Sequence, residues 1–248
     1  MKIDSLQPST SWDFPRLQVY NHRKIGEYMH DVYPENFFSF VIDAGARGIV
    51  HPWHVPQMAT KNPQTTFFAL EVDLPYYEEL RSEIEDKSLN NVILTEEGLG
   101  TGETISSPDS KSVKTKTLKQ IIEQNSFDVS KRWAFKCDIE GGEECFFEDP
   151  ASEEILKKCD HIGIELHFPN IKDHNFFTSA QSDTLMKESR WEAWLLKTLD
   201  ETHYVFLTDH PKCQSVGVAT VVAIKKEIID QDTNTDLYVS NIWRKING

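Results

Sequence analysis

Residues 134–144, "AFKCDIEGGEE", alternate apolar and charged side chains and then break into two glycines and two acids. Side chains alternate across a strand, so Lys136, Asp138 and Glu140 share one face while Phe135, Cys137 and Ile139 share the other. Successive members of the charged row lie ~6.5–7 Å apart along the strand. The flanking sequence reads as a central, buried strand, and burying an unpaired charge costs several kcal/mol. Lys136, deepest of the three, is therefore expected to pair with an acid, Asp138 being the nearest candidate along the strand. Gly141-Gly142 turns the chain, and Glu143-Glu144 falls where a helix N-terminus would favour acids.

Outward from this strand the pattern is regular. "FFSFVIDAG" (37–45), "TTFFALEVD" (65–73) and "NNVILTEEG" (90–98) read as strands; "HIGIELHFP" (161–169), "HYVFLTDH" (203–210) and "VATVVAIKK" (218–226) follow. Between them "PYYEELRSEIEDK" (75–87), "TLKQIIEQN" (117–125), "SEEILKKCD" (152–160) and "LMKESRWEAWLLKTLDET" (185–202) carry helical spacing, with Pro75 suited to a first turn. The segment after Thr95, with Gly98, Gly100 and Gly102, reads as turn-rich. Apolar strands alternating with amphipathic helices predict an α/β fold with a mostly parallel sheet, closed by a C-terminal antiparallel edge hairpin. The expected organisation is one domain over 37–248, with residues 1–36 an N-terminal extension packed on it or reaching over the site.

A formal charge of −14 argues against non-specific nucleic-acid binding and against an anionic membrane surface, because both reward clustered Lys and Arg. A neutral small molecule or glycan remains compatible. Cys137, Cys145, Cys159 and Cys213 show no CxxC pairing and read as free thiols in a reducing compartment. The N-terminal stretch has no apolar leader and no window approaches a membrane span, so a cytoplasmic protein is expected.

In open α/β sheets ligands bind beyond the carboxyl ends of the strands. The first strand ends "DAGARG", placing Asp43, Gly45 and Gly48 there; a tight turn alone would also account for these glycines, and the GxGxxG of dinucleotide sites is missing. The second ends in Glu71 and Asp73, acids suited to gripping ribose hydroxyls or to capping the next helix. In the fifth strand His161, Gly163, Glu165 and His167 share a face. If the fourth and fifth strands end at one cleft, Asp138, Glu140, Glu165 and His167 converge. Trp53 and Trp133 are candidate stacking surfaces, whereas Trp191 and Trp194 fall on a helical core stripe.

"KCDIEGGE" (136–143) resembles the KxDxEGxE signature of FkbM-type S-adenosylmethionine-dependent methyltransferases. "FVIDAGARG" resembles that family's cofactor loop, "FFALEVD" its ribose-binding strand end, "NNVILTEEGLGTGETI" its third strand, and "IGIELHF" its fifth. "VKTKTLKQII" stands at its T-x-T-L-D segment, with Lys119 in place of the Asp. The resemblance implies a Rossmann-like, seven-stranded fold that transfers a methyl group from S-adenosyl-L-methionine to a hydroxyl of a sugar, glycan or small natural product. It implies that Asp43, Gly45 and Gly48 contact the methionine moiety, Glu71 the ribose, and Glu96 or Glu97 the adenine. Arg47, where a small polar residue is common, and the two prolines of "IVHPWHVPQ" (49–57) depart from the pattern.

Methyl transfer from a sulfonium requires in-line alignment and removal of a hydroxyl proton. The expected base is Asp138 or His167, with Lys136 compensating the acids and Glu140 and Glu165 positioning substrate hydroxyls; Glu143 and Trp53 complete the expected acceptor site. Mg²⁺ or Mn²⁺ assistance is the mechanistic alternative, suited to the carboxylates but lacking a compact ligand motif, and a metal is not expected. The competing readings are a non-catalytic binding or scaffold protein on the same fold and, disfavoured by the missing GxGxxG, a nicotinamide-dependent oxidoreductase.

Overall fold

The computed structural model describes residues 18–20, 28, 33–47, 53–106, 112–139, 143, 149–167, 199, 201–208 and 218–230. They fall into two compact units, Glu35–Cys159 and the combination of Met1–Pro34 with Asp160–Gly248. The N-terminal stretch thus groups with the C-terminal part of the chain. Its strand, β1 (Gln18–Tyr20), comes first in the chain and belongs to the second unit.

The first unit is built on four parallel strands: β2 (Phe40–Ala44), β3 (Thr66–Leu70), β4 (Val92–Thr95) and, after an intervening small sheet, β8 (Trp133–Cys137). β2 is central, flanked by β8 and β3, with β4 beyond β3. Every residue of β2 and of β8 is buried, the two-sided burial that parallel strands have when helices cover the sheet. α1 (Val55–Lys61) and α2 (Leu74–Asp86) pack on β3 and β4, each with a proline in its first turn where the missing N–H costs nothing. The helix described after β2 runs from Val55, with Pro56 in its first turn. α3 (Leu118–Gln124) opens with a capping box: the Thr117 hydroxyl accepts from Gln120 N at 3.2 Å, and Gln120 Oε1 accepts from Thr117 N at 3.0 Å. α4 (Pro150–Leu156) is capped by Asp149, which accepts from Ala151 N.

The segment expected to be only turn-rich holds a second sheet, β5 (Gly98–Leu99), β7 (Ser112–Lys116) and β6 (Thr104–Ser106), in that spatial order. In β7, Val113 and Thr115 are buried while Ser112 and Lys114 are exposed, the alternation of a half-covered strand. Aromatic rings fill the amino-terminal ends of the main strands: Phe40 stacks on Phe127 (4.5 Å) and on Trp133 (5.2 Å). Apolar mass thus sits at one end of the sheet and charge at the other.

The second unit contains β9 (His161–His167), β10 (His203–Thr208), β11 (Val218–Lys225) and α5 (Lys226–Asp230). β11 lies antiparallel between β9 and β10, and β1 adds to β10 in parallel. The expected antiparallel hairpin is present as β10–β11, and β1 extends it by one strand. Tyr28 is packed over Gly163 so closely that a Cβ there would lie 2.8 Å from its ring. The predicted helix over 185–202 lies almost entirely outside the described residues, Trp191 and Trp194 included. The architecture is Rossmann-like α/β: parallel strands under helices, joined in sequence to antiparallel strands at the C-terminal end.

Candidate functional site

The parallel register sets Asp43 of β2 directly beside Lys136 of β8. Both are buried, at 1% and 0% exposure, and Lys136 Nζ stands 3.2 Å from Asp43 Oδ1 and 3.9 Å from Asp138 Oδ2. The same ammonium donates to the Gly45 carbonyl at 2.7 Å. Burial alone would push the Lys136 pKa down, but the carboxylates of Asp43 and Asp138 outweigh it and raise it, so the group is cationic at neutral pH. Asp138 is therefore not the nearest partner, as expected from the strand alone; Asp43 is. Two residues along one strand stay ~6.5–7 Å apart at their Cα atoms, whereas neighbouring strands lie less than 5 Å apart.

Gly45 follows β2 at φ +78°, a conformation costly for any residue with a Cβ. A Cβ built there would lie 1.7 Å from the Asp138 carbonyl oxygen. The glycine is thus demanded by the chain's own packing on the extension of β8. Gly45 N and Ala46 N both donate to Leu70 O, and Asp138 N donates to Ala44 O, so the loop is tied to both neighbouring strands. Arg47, the departure noted above, lies with its guanidinium 5.2 Å from the Tyr76 ring centroid. Gly48 lies outside the described residues.

Glu71 stands one residue past β3, 5% exposed, with Oε1 accepting from Asp73 N at 2.7 Å. Burial raises its pKa to about 7, against the lowering effect of the Asp73 and Val72 amides and of Lys136. Beyond β4, Glu96 is exposed, while Glu97 accepts from Thr95 Oγ1 (2.9 Å) and pairs with Lys116 of β7 (2.6 Å). The small sheet therefore engages one of the two acids expected near the adenine.

Glu143 is buried in a turn and accepts from Ile139 N at 3.4 Å, holding the end of the β8 extension in place. Glu140 lies outside the described residues. Trp53 is 1% exposed, so its ring is enclosed and presents no open stacking face. In the second unit, Glu165 is buried and accepts from the Tyr28 hydroxyl at 3.3 Å; His167 ends β9 opposite Val218, its side chain outside the described set. His161, on the same face as Glu165, hydrogen-bonds through Nδ1 to the Tyr33 hydroxyl at 2.8 Å.

Asp43, Gly45, Glu71, Lys136 and Asp138 thus come together at the carboxyl ends of three adjacent parallel strands. Sequence reasoning missed the Glu97–Lys116 pair, the Arg47–Tyr76 stack and the His54–Glu83 contact at 2.9 Å. Each joins segments distant in sequence, and only the buried alternation of β7 hinted at the first. Among the described residues no group of three or more His, Cys, Asp or Glu side chains could hold a metal ion, and no helix is long and apolar enough to cross a membrane.

No protein-family profile matches the chain, and no curated protein matches it. Among solved structures, it is similar to the methyltransferase domain of METTL16, at 15% identity over 80% of this chain and 66% of that one, TM-score 0.47. It is similar to a precorrin-6y C5,15-methyltransferase from Geobacter metallireducens, at 14% identity over 78% and 84%, TM-score 0.39. An rRNA methylase from Streptococcus thermophilus matches at 11% identity over 77% and 89%, TM-score 0.43. The fold assignment stands on the strand pairing described above.

Proposed function

We propose that the protein is an S-adenosylmethionine-dependent O-methyltransferase of FkbM type, acting in the cytoplasm on a hydroxyl of a sugar, glycan or small natural product. The observation that carries this reading is the juxtaposition of Asp43, Glu71 and Asp138 with a single buried ammonium at the carboxyl ends of β2, β3 and β8.

The cofactor's chemistry fits these residues. Once Lys136 is counted, carboxylates remain in excess, which suits a sulfonium cation. Glu71 offers a buried carboxylate at the end of β3, held by Asp73 N, that would accept from a ribose hydroxyl. Gly45 and Ala46 carry the loop that would border the methionine moiety. When bound, S-adenosylmethionine supplies an electrophilic methyl group. The chain's own part is to orient the acceptor and take its proton: Asp138 or His167 is the base, and Glu140 and Glu165 position acceptor hydroxyls, while buried Glu143 holds the end of the β8 extension. Trp53, its ring enclosed, presents no open stacking face to an acceptor.

Calorimetric titration with S-adenosylmethionine and with NAD(P) tests the reading. Saturable binding of the first alone is expected. Binding of NAD(P) instead, or of neither, overturns it, and the latter result favours a non-catalytic binding protein on the same fold.

A further inference from the structure

We infer that Lys136 is a positioning residue that clamps the loop after β2 to the extension of β8, and that Asp43 is its structural counterion. The inference rests on the cofactor reading above and deepens it, because the resemblance implies that Asp43 contacts the cofactor, and Lys136 was expected only to compensate the acids.

Three contacts of one ammonium carry it. Nζ reaches Asp43 Oδ1 at 3.2 Å, the Gly45 carbonyl at 2.7 Å and Asp138 Oδ2 at 3.9 Å. These belong to the end of β2, to the first residue of the loop, and to the first residue past β8. Directly above, Gly45 has no room for a Cβ because the Asp138 carbonyl fills that space. Loop and strand extension are therefore in contact by backbone and cross-linked by a side chain. Lys136 is fully buried, and the carboxylates of Asp43 and Asp138 beside it keep it charged. Such a group serves best as a fixed cation. It holds the Gly45 carbonyl, and with it the loop's amides, in one orientation, and it fixes where the Asp138 carboxylate sits. It also lowers the pKa of Glu71 across the sheet.

The test compares wild-type protein with Lys136→Met and with the double variant Lys136→Met/Asp43→Asn, which removes the buried pair together and should keep the sheet folded. Amide hydrogen exchange without ligand is followed at Gly45 and Ala46, with Phe67 and Phe68 of β3 as the reference. Exchange at the loop amides is expected to rise about 10- to 100-fold in the double variant while the β3 amides change little, the scale of losing a charge-assisted hydrogen bond. Affinity for S-adenosylmethionine should fall by a similar factor in the double variant, and the pH midpoint of that affinity should move upward as Glu71 loses its cationic neighbour. An unmoved midpoint would mean that Lys136 exerts no field at Glu71 and would overturn its place beside the cofactor site. Loop amides as protected as in wild type, wild-type affinity in a folded double variant, or loss of folding in the double as well as the single variant each overturn the clamp. Should wild-type protein bind no S-adenosylmethionine, the cofactor reading fails, and the exchange comparison still decides the clamp.

Discussion

Asp43 and Lys136 lie 93 positions apart in the chain (136 less 43), yet their side chains meet at 3.2 Å with almost no solvent contact. The pairing follows from the parallel register of the two strands, and it places the pair at their carboxyl ends with Asp138 beside it. Asp43→Asn is expected to leave Lys136 short of its nearest counter-charge. The cost should be about 3–5 kcal/mol, the range for breaking a buried pair from one side. Urea denaturation measures it, and a loss below about 1 kcal/mol would mean that Asp138 compensates Lys136 alone.

Gly45 and Gly102 both have positive φ, but only the first is crowded. At Gly45 a Cβ would meet the Asp138 carbonyl at 1.7 Å; at Gly102 the nearest atom is the Gln120 side chain at 3.7 Å. Gly102→Ala should therefore cost only about 1 kcal/mol, the conformational penalty. Gly45→Ala should cost upwards of about 3 kcal/mol, or prevent folding, because strand and loop must separate. Equal denaturation midpoints for the two variants would contradict the packing described.

Glu71 makes stability depend on pH in an unusual sense for a carboxylate. Its pKa is raised from 4.5 to about 7, so in the unfolded chain the proton leaves first. Between pH 4.5 and 7 the folded state holds more proton, and stability falls as pH rises through that window, by something on the order of 3 kcal/mol, then levels off. Glu71→Gln should flatten this slope. Affinity for S-adenosylmethionine should run the other way, strengthening as pH rises through 7, because the ionised carboxylate is the better acceptor for ribose hydroxyls. Thermal melts and calorimetry over pH 5–8 check both signs.

Asp138→Asn and His167→Ala separate the two candidate bases. Loss of the true base should lower turnover by about 10²- to 10⁴-fold while S-adenosylmethionine still binds. Turnover intact in both variants would place the base elsewhere.

Much of the site was legible before the fold was. The period-2 row of Lys136, Asp138 and Glu140, the acid after each of the first two strands, and the glycine after Asp43 are local patterns. Local patterns follow from the geometry of a single strand. The structure differs where distant segments meet. The sequence favoured Asp138 as the partner of Lys136 because separation along one strand can be counted, whereas the cross-strand neighbour depends on register. Glu97 was expected only near the adenine, and β7 brings Lys116 to it. Trp53 looked like a stacking platform, and burial is a property of the folded chain alone.

By itself the sequence determined the fold class and the ends of the strands where chemistry collects, because side-chain alternation, helical spacing and turn residues act over a few positions. Only the tertiary structure decided which charges neutralise one another, why residue 45 must be glycine, and which acid titrates near neutrality. Those outcomes depend on strand register, contact distance and desolvation, which exist only once remote segments share one interior.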